Sequence, residues 1–362
     1  MLTVEVNGNV YEQAVSVSVS RSIHNFMGHF QVTSSADPDN TLPIKAGDAV
    51  QILADGSVIL NGFIDRLRMT QSSTNHIINF GGRDRTSDAY DSSVFDQKSF
   101  QGPISFKDVL RNVLDGNRLQ GIEIIDEAGD IEDFGETEII GAEVGETIFN
   151  FLEPYARKQQ FIFTTNEEGN ILLMRTGTQR LGIDLTRLIN STENNILRSS
   201  VSIDIEKRFN TYVARSQLNP FAQGDEATPA MIVDQNGQTL DQSIRTSRIL
   251  EFNTEEDLDN DNSFNRAEFE ANVRRASSLN YECTVQGNSI NGVPFKVNRL
   301  TFVRDEFAQI SSDMLIHTIN FEYSLEGGST TTLHMTFPDA YSLQAEQNAR
   351  DSTRTNLAEG FF

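Results

Sequence analysis

The sequence holds one cysteine, no tryptophan, 8 prolines and few cations, and the shortages of cysteine and of cations each disfavour a class of protein. A lone Cys283 cannot close an internal disulfide, so the chain does not depend on an oxidising compartment and reads as a cytosolic folder. The 29 Lys and Arg stand against 52 Asp and Glu, a formal net charge of −23. Proteins that bind nucleic acid or an anionic membrane cluster their cations to neutralise phosphates, so both classes are disfavoured. No apolar run approaches the ~18 residues of a membrane span, and residues 1–8 lack the basic stretch and apolar core of a secretory signal. Catalytic signatures are missing as well. His24, His29, His76, His317 and His334 are scattered without His-Glu-x-x-His spacing for zinc. There is no Gly-x-x-x-x-Gly-Lys loop to cradle phosphate, no Gly-x-Gly-x-x-Gly turn and no Gly-x-Ser-x-Gly elbow.

What is present is a chain able to bury a core. Hydrophobic residues make up 38%, with 24 Phe among them, and 362 residues suit two or three domains. The pattern predicts an α+β protein, mainly β, with a mixed α+β middle domain, a C-terminal helical tail, and strand-rich segments around the middle domain that make two similar antiparallel β-barrels if they are copies of one fold. Residues 1–97 read as the first of these, a small antiparallel barrel or sandwich. Val15, Val17 and Val19 alternate with serines, and Asn7-Gly8 and Asp55-Gly56 supply the positive φ of tight hairpins. Residues 98–195 read as the α+β middle domain. Phe106, Val109, Leu110, Val113 and Leu114 fall on one helical stripe, with Ser105 as N-cap and Gly116 just past the end. A second helix from about Glu146 contains Pro154, which implies a kink or a lost hydrogen bond. Residues 196–216 and 280–340 form the second predicted β-barrel, 217–279 an inserted loop, strands and helix, and 341–362 the helical tail.

One internal echo runs across this plan. Residues 64–69 and 77–80 resemble residues 316–321 and 333–337, and each hairpin is followed by Asp-Ala-Tyr, at Asp88 to Tyr90 and at Asp339 to Tyr341. Alternating hairpins resemble one another by chance, so the echo by itself leaves two readings open: two copies of one barrel, or two unrelated strand pairs.

Four places could carry chemistry. Asp257, Asp259, Asp261, Ser263, Asn265 and Glu268 have the ligand spacing of a calcium loop, but Asn262 stands where glycine is required and a strand precedes the run. The preferred reading is a solvated acidic run ahead of a helix N-terminus. Gly82, Arg83, Asp84 and Asp88 follow a strand and read as a junction that ends a barrel, with Thr86 or Ser87 capping a short helical turn. Cys283 lies in an alternating strand as a small buried hydrophobe rather than a thiolate. Paired carboxylates suit glycoside hydrolysis, but an acidic chain always offers such pairs.

The chain resembles the baseplate hub proteins of Mu-like contractile-tail phages, related in fold to the base of type VI secretion spikes. Four segments carry the likeness. They are residues 59–65 (Ile-Leu-Asn-Gly-Phe-Ile-Asp), 82–88 (Gly-Arg-Asp-Arg-Thr-Ser-Asp) with 91–93, 145–158, and 266–275 with the strands after it. The resemblance implies a non-enzymatic virion structural protein of the tail baseplate, assembled in the host cytoplasm. It also implies a homotrimer whose duplicated barrels make a ring of six, docking a hexameric tail tube or tube initiator on one face and a trimeric central spike on the other. Surrounding baseplate proteins are further partners, DNA passes through without specific binding, no membrane span is involved, and no cofactor is expected. Acidic channel walls would repel phosphate, although general surface solvation explains the charge equally well. The residues after Tyr341 are too few for a fused needle, so the spike is expected on another polypeptide. Phe361 and Phe362 are a candidate apolar plug into a neighbour or a frayed end. The alternatives are a particle-associated carboxylate glycan or cell-wall hydrolase, and a calcium-dependent adhesin. On the preferred reading of the acidic run, calorimetric titration with Ca²⁺ gives no stoichiometric heat; stoichiometric heat would promote the adhesin.

Overall fold

A computed structural model describes residues 2–35, 44–72, 76–97, 99–159, 161–177, 179–215, 230–233, 244–253, 267, 270–272, 274–275 and 277–338. The chain forms two compact units. The first comprises Met1–Arg175, Thr284–Asn298 and His317–Leu333; the second comprises Thr176–Cys283, Arg299–Ile316 and His334–Phe362.

The first unit begins with seven strands: β1 (Leu2–Val6), β2 (Asn9–Val10), β3 (Ala14–Ser22), β4 (His29–Ser35), β5 (Ala49–Ala54), β6 (Ser57–Gln71) and β7 (His76–Asp84). Period-2 patterning drives them. Leu2, Val4 and Val6 are buried on one face of β1, and Val17 and Val19 on one face of β3 while Ser18 faces out. Asn7 and Gly8 have φ of 50° and 79°, and Asp55 and Gly56 have 50° and 85°, which are the left-handed values a two-residue hairpin needs. The strands pair antiparallel in the order β3-β4-β7-β6-β5-β1-β2. At a register shift between Ile64 and Arg66, two glycines admit a close backbone approach. A Cβ on Gly82 would lie 1.8 Å from the Phe63 carbonyl oxygen, and one on Gly62 would lie 1.9 Å from that of Arg83.

An α+β part follows in the same unit: α1 (Ser87–Asp91), β8 (Ser99–Gln101), α2 (Phe106–Gly116), β9 (Ile124–Glu127), β10 (Ile139–Gly141), α3 (Ile148–Lys158), β11 (Ile162–Thr165) and β12 (Ile171–Met174). All five stripe residues of α2 are fully buried, and the Ser105 side chain accepts from the Asp108 N–H at 3.0 Å. The C-terminal boundary differs from expectation. Gly116 is the last helical residue and Asn117 is the cap, its N–H bonding to the Val113 carbonyl and its side chain to Ser93 and Phe95. Pro154 sits within α3 on the exposed side and the helix runs through it. β9 joins β12 in parallel, a long-range pairing that periodicity does not reveal. Phe26, Phe106, Phe149, Phe161 and Phe163 share one aromatic core here.

The second unit contains β13 (Arg180–Arg187), β14 (Ile196–Ile203), β15 (Thr211–Arg215), β16 (Ala230–Val233) and β17 (Ile249–Asn253). β18 (Leu279–Gln286) is divided between the units, β19 (Ser289–Ile290) and β20 (Val293–Pro294) belong to the first, and β21 (Arg299–Asp305) to the second. β22 (Ile310–Ser324) and β23 (Gly328–Thr336) are again divided. In hydrogen-bonded order the strands run β14-β18-β23-β22-β21-β13, with β13 parallel to β21. The C-terminal half of β22 pairs with β3 in the first unit. β15 lies between β16 and β17, and Tyr212 and Ala214 pack with the helical Ala267 and Ala271.

The protein is therefore mainly β with α-helix, but no closed barrel forms among the described residues. The first ladder ends on β2, which pairs only with β1, and closure requires a hydrogen-bonded pair between a ladder's two ends. The tail at 341–362 lies outside the described residues. The sequence echo has a structural counterpart: β6 and β22 each have 15 residues, and the strands that follow them, β7 and β23, each have 9. Because Leu110 is fully enclosed, Leu110→Ala is expected to cost about 2–5 kcal/mol in the first unit's urea unfolding.

Candidate functional site

Of the four residues expected to follow a strand, Gly82, Arg83 and Asp84 are instead the last three residues of β7, because its ladder with β6 runs to Asp84, and each meets a different neighbour. Gly82 fills the close approach described above. The Arg83 guanidinium donates to Asp65 Oδ2 on β6 at 2.7 Å, and to Asp91 Oδ1 and Oδ2 at the end of α1 at 3.1 and 2.7 Å. Hydrogen bonds to Asp91 and then Asp65 hold that guanidinium firmly charged. Asp84 is turned the opposite way and is fully buried. Its Oδ2 accepts from the Gly28 N–H at 2.8 Å and the Thr165 hydroxyl at 2.8 Å, with Arg21 Nη1 at 3.7 Å; its Oδ1 accepts from the Thr86 N–H at 3.1 Å and from the Thr86 hydroxyl. Arg21 Nη2 in turn donates to the Thr165 carbonyl at 2.7 Å.

The adjoining Arg85, not singled out from sequence, donates through Nε to the Gly169 carbonyl at 2.9 Å and through Nη2 to Asn170 Oδ1. Thr86 occupies the N-cap position of α1 but its hydroxyl is committed to Asp84, so side-chain capping is absent. Asp88 stands apart, exposed in the first turn of α1. Residues 83–86 thus clamp one strand end to β3, β6, α1 and the β11–β12 hairpin. Every Asp84 oxygen is met by donors, so this arrangement can hold a junction and leaves that carboxylate no face for a substrate.

A second buried carboxylate repeats the device. Asp305, at the end of β21, accepts on Oδ1 from the N–H groups of Phe307 at 3.0 Å and Ala308 at 2.9 Å, and on Oδ2 from Ser199 at 2.6 Å and the Tyr281 hydroxyl at 2.7 Å. Burial works to raise its pKa, but the donors, led by the Ala308 N–H, outweigh it and hold the carboxyl below its usual range. Burial and the same contact push the Tyr281 phenol up. Asp305 was missed in sequence. The available signal was the shared Arg-Asp ahead of a turn, Arg83-Asp84 and Arg304-Asp305, where each Asp binds the N–H two residues on.

The other candidates divide in two. Cys283 is buried, and its thiol is pushed up first by burial and then by the charges of Asp305 and Glu282, which opposes thiolate chemistry. His24 and His317 bring their rings to 5.1 Å, a proximity invisible in sequence. Asp257, Asp259, Asp261, Ser263, Asn265, Glu268, Phe361 and Phe362 lie outside the described residues. Among the described residues no three His, Cys, Asp or Glu side chains are placed to hold a metal ion, and no helix is long and apolar enough to cross a membrane.

Residues 1–84 match the family described as Mu phage baseplate assembly protein GpP-like, N-terminal. Over 357 residues, 97% of this chain and 91% of the relative, the sequence is 20% identical to baseplate hub protein gp44 of Escherichia phage Mu. The chain is thus similar over most of its length to a Mu-like baseplate hub protein. Its fold is similar to that of the 43 kDa tail protein of prophage MuSo2 from Shewanella oneidensis, with a TM-score of 0.80, 21% identity, and coverage of 94% of this chain and 99% of that one. An Escherichia coli type VI secretion component, described as structurally similar to bacteriophage T4 tail proteins gp27 and gp5, has a TM-score of 0.54 at 9% identity, covering 94% and 78%. The family match ends at Asp84, the last residue of β7 and the centre of the clamp.

Since the folded pKa of Asp305 is depressed, its contribution to stability is present above the unfolded carboxylate pKa of about 4 and is lost as pH falls through the folded value. Asp305→Asn is therefore expected to cost about 1–3 kcal/mol at neutral pH. Urea unfolding across the acid range should show that difference shrinking as pH falls; a difference that grew would contradict the assignment.

Proposed function

We propose that the chain is a non-enzymatic hub of a contractile tail baseplate, acting as a trimeric ring that matches a hexameric tail tube to a trimeric central spike. The observation that carries this reading is the paired 15-residue and 9-residue hairpin, β6–β7 and β22–β23. Two barrel-like modules per chain, three chains to a ring, present six similar faces, which is what a three-fold body needs to meet a six-fold one. Full-length kinship to a phage baseplate hub protein supports the same reading. The buried clamps at Asp84 and Asp305 suit such a part, because docking surfaces on both faces need a scaffold that keeps its shape.

The tube or its initiator, the spike and the surrounding baseplate proteins are the proposed partners, and the virion tail is the proposed location. Gly82, Arg83 and Asp84 act in this scheme as a junction, with Asp88 beside them. The net charge of −23 supports a channel that DNA crosses without adsorbing. Light scattering of the purified chain is expected to give three times 40.4 kDa, and electron microscopy a ring with an acidic bore. A ring built from a single barrel-like module per chain would overturn the adapter reading, and a neutral or basic bore would overturn the channel explanation alone.

A further inference from the structure

The second unit carries a groove of about 520 Å³ beside the Asp305 turn, and its chemistry is unlike that of the rest of the chain. Arg187 and Arg198 are the charged residues of its lining, in a molecule where acidic residues outnumber basic ones by 52 to 29. Three of its four apolar members stand in water: Phe307 is 86% exposed, Ile189 64% and Leu197 49%, while Leu188 is half-buried. Isolated exposed side chains need no explanation, but three around one groove mark a contact surface.

The groove is also held rigid by hydrogen bonds along its walls, among them one from Arg187 Nη1 to the Ile196 carbonyl at 3.0 Å. On one wall the Asn194 side chain accepts from the Leu188 N–H at 2.6 Å and donates to the Leu188 and Ser191 carbonyls, while Asn195 accepts from the Thr186 N–H at 2.8 Å and donates to Asp184 O. On the other wall Asp305 fixes the Phe307 backbone and also receives the Ser199 hydroxyl from across the groove. The nearby Glu306 carboxylate is engaged by the Ile189 N–H at 2.7 Å. A loop pair so braced presents Phe307 already in place, which lowers the ordering cost of binding.

We infer that this groove receives a second copy of the chain, through the acidic, apolar-tipped segment at residues 132–144. Charge selects that occupant. Between Arg118 and Arg157 the sequence has no Lys or Arg, and Glu132, Asp133, Glu136, Glu138 and Glu143 are all exposed. Shape agrees with charge. Ile140 of β10 is buried, so the alternation of the strand turns Ile139 outward, 75% exposed, and Val144 just beyond is 82% exposed. Two apolar tips flanked by Glu138 and Glu143 complement an apolar groove flanked by two arginines. The two surfaces differ, so the contact is head-to-tail, the kind that closes a cyclic ring and not a two-fold dimer. This inference rests on the trimer reading and adds to it which surfaces meet.

The test uses the full chain and light scattering across a concentration series, with thermal unfolding to confirm that each variant is folded. Phe307→Asp, the pair Arg187→Glu with Arg198→Glu, and the pair Glu138→Arg with Glu143→Arg are each expected to weaken trimer formation at least tenfold. Combining both charge-reversing pairs in one chain is expected to restore it, because the pairing between copies is re-established with the signs exchanged. A trimer indifferent to every variant overturns the groove contact and leaves the trimer reading standing. Dissociation by the groove variants without effect from, or rescue by, the Glu138 and Glu143 reversals overturns the choice of segment. A wild-type chain that stays monomeric throughout overturns a second copy as the occupant.

Discussion

A carboxylate removed from water must be answered by donors, and that demand at Asp84 organises the first unit. Five donors or cations reach its two oxygens, from β3, the turn before β4, the start of α1 and the end of β11. Each donor is positioned only when its own element is in place, so the buried charge favours one arrangement of sheet and helices over near alternatives. Leaving such a charge unpaired costs several kcal/mol, whereas the intact pair with Arg21 contributes less than its Coulomb energy suggests, because both groups lost hydration. Its value lies in geometry more than in net stability.

The glycines beside it belong to the same constraint. Gly62 and Gly82 let β6 and β7 approach across a register shift, and that shift places the end of β7 where Asp84 turns inward and Arg83 outward. Any side chain at those positions would push the strands apart and move the carboxylate off its donors. Arg83, half in water and pinned to Asp65 and Asp91, then secures the outer surface of the same strand end. Asp305 shows the same solution reached independently in the second unit. It lies at the end of the strand before β22, and not after it, so the two aspartates are not equivalent positions of the hairpin echo.

A scaffold braced in this way is suited to holding partners. The buried carboxylates of Asp84 and Asp305 are met by internal donors on both oxygens, while exposed apolar side chains gather on braced loops such as those bearing Ile189 and Phe307. The chain is similar to baseplate and tail proteins, and the physical features that fit the role proposed for it are rigid turns, surface anchors and unbalanced charge rather than a reactive group.

Local rules made part of the protein readable before any coordinates. Periodicity and capping placed α2 and its five buried residues, the left-handed turns at Asn7-Gly8 and Asp55-Gly56 marked the hairpins, and Gly82 to Asp84 stood out as a strand-end motif, because each depends on neighbours within a few residues. The tertiary structure decided what depends on residues far apart in the chain. The parallel pairings of β9 with β12 and of β13 with β21, the open ending of the first ladder at β2, and the capture of the Thr86 hydroxyl by Asp84 instead of a helix cap all belong to this class. So do Thr165 on Asp84 and Ser199 and Tyr281 on Asp305, since a donor's identity is written in the sequence but its distance from a buried charge is set only when separate strands pack together.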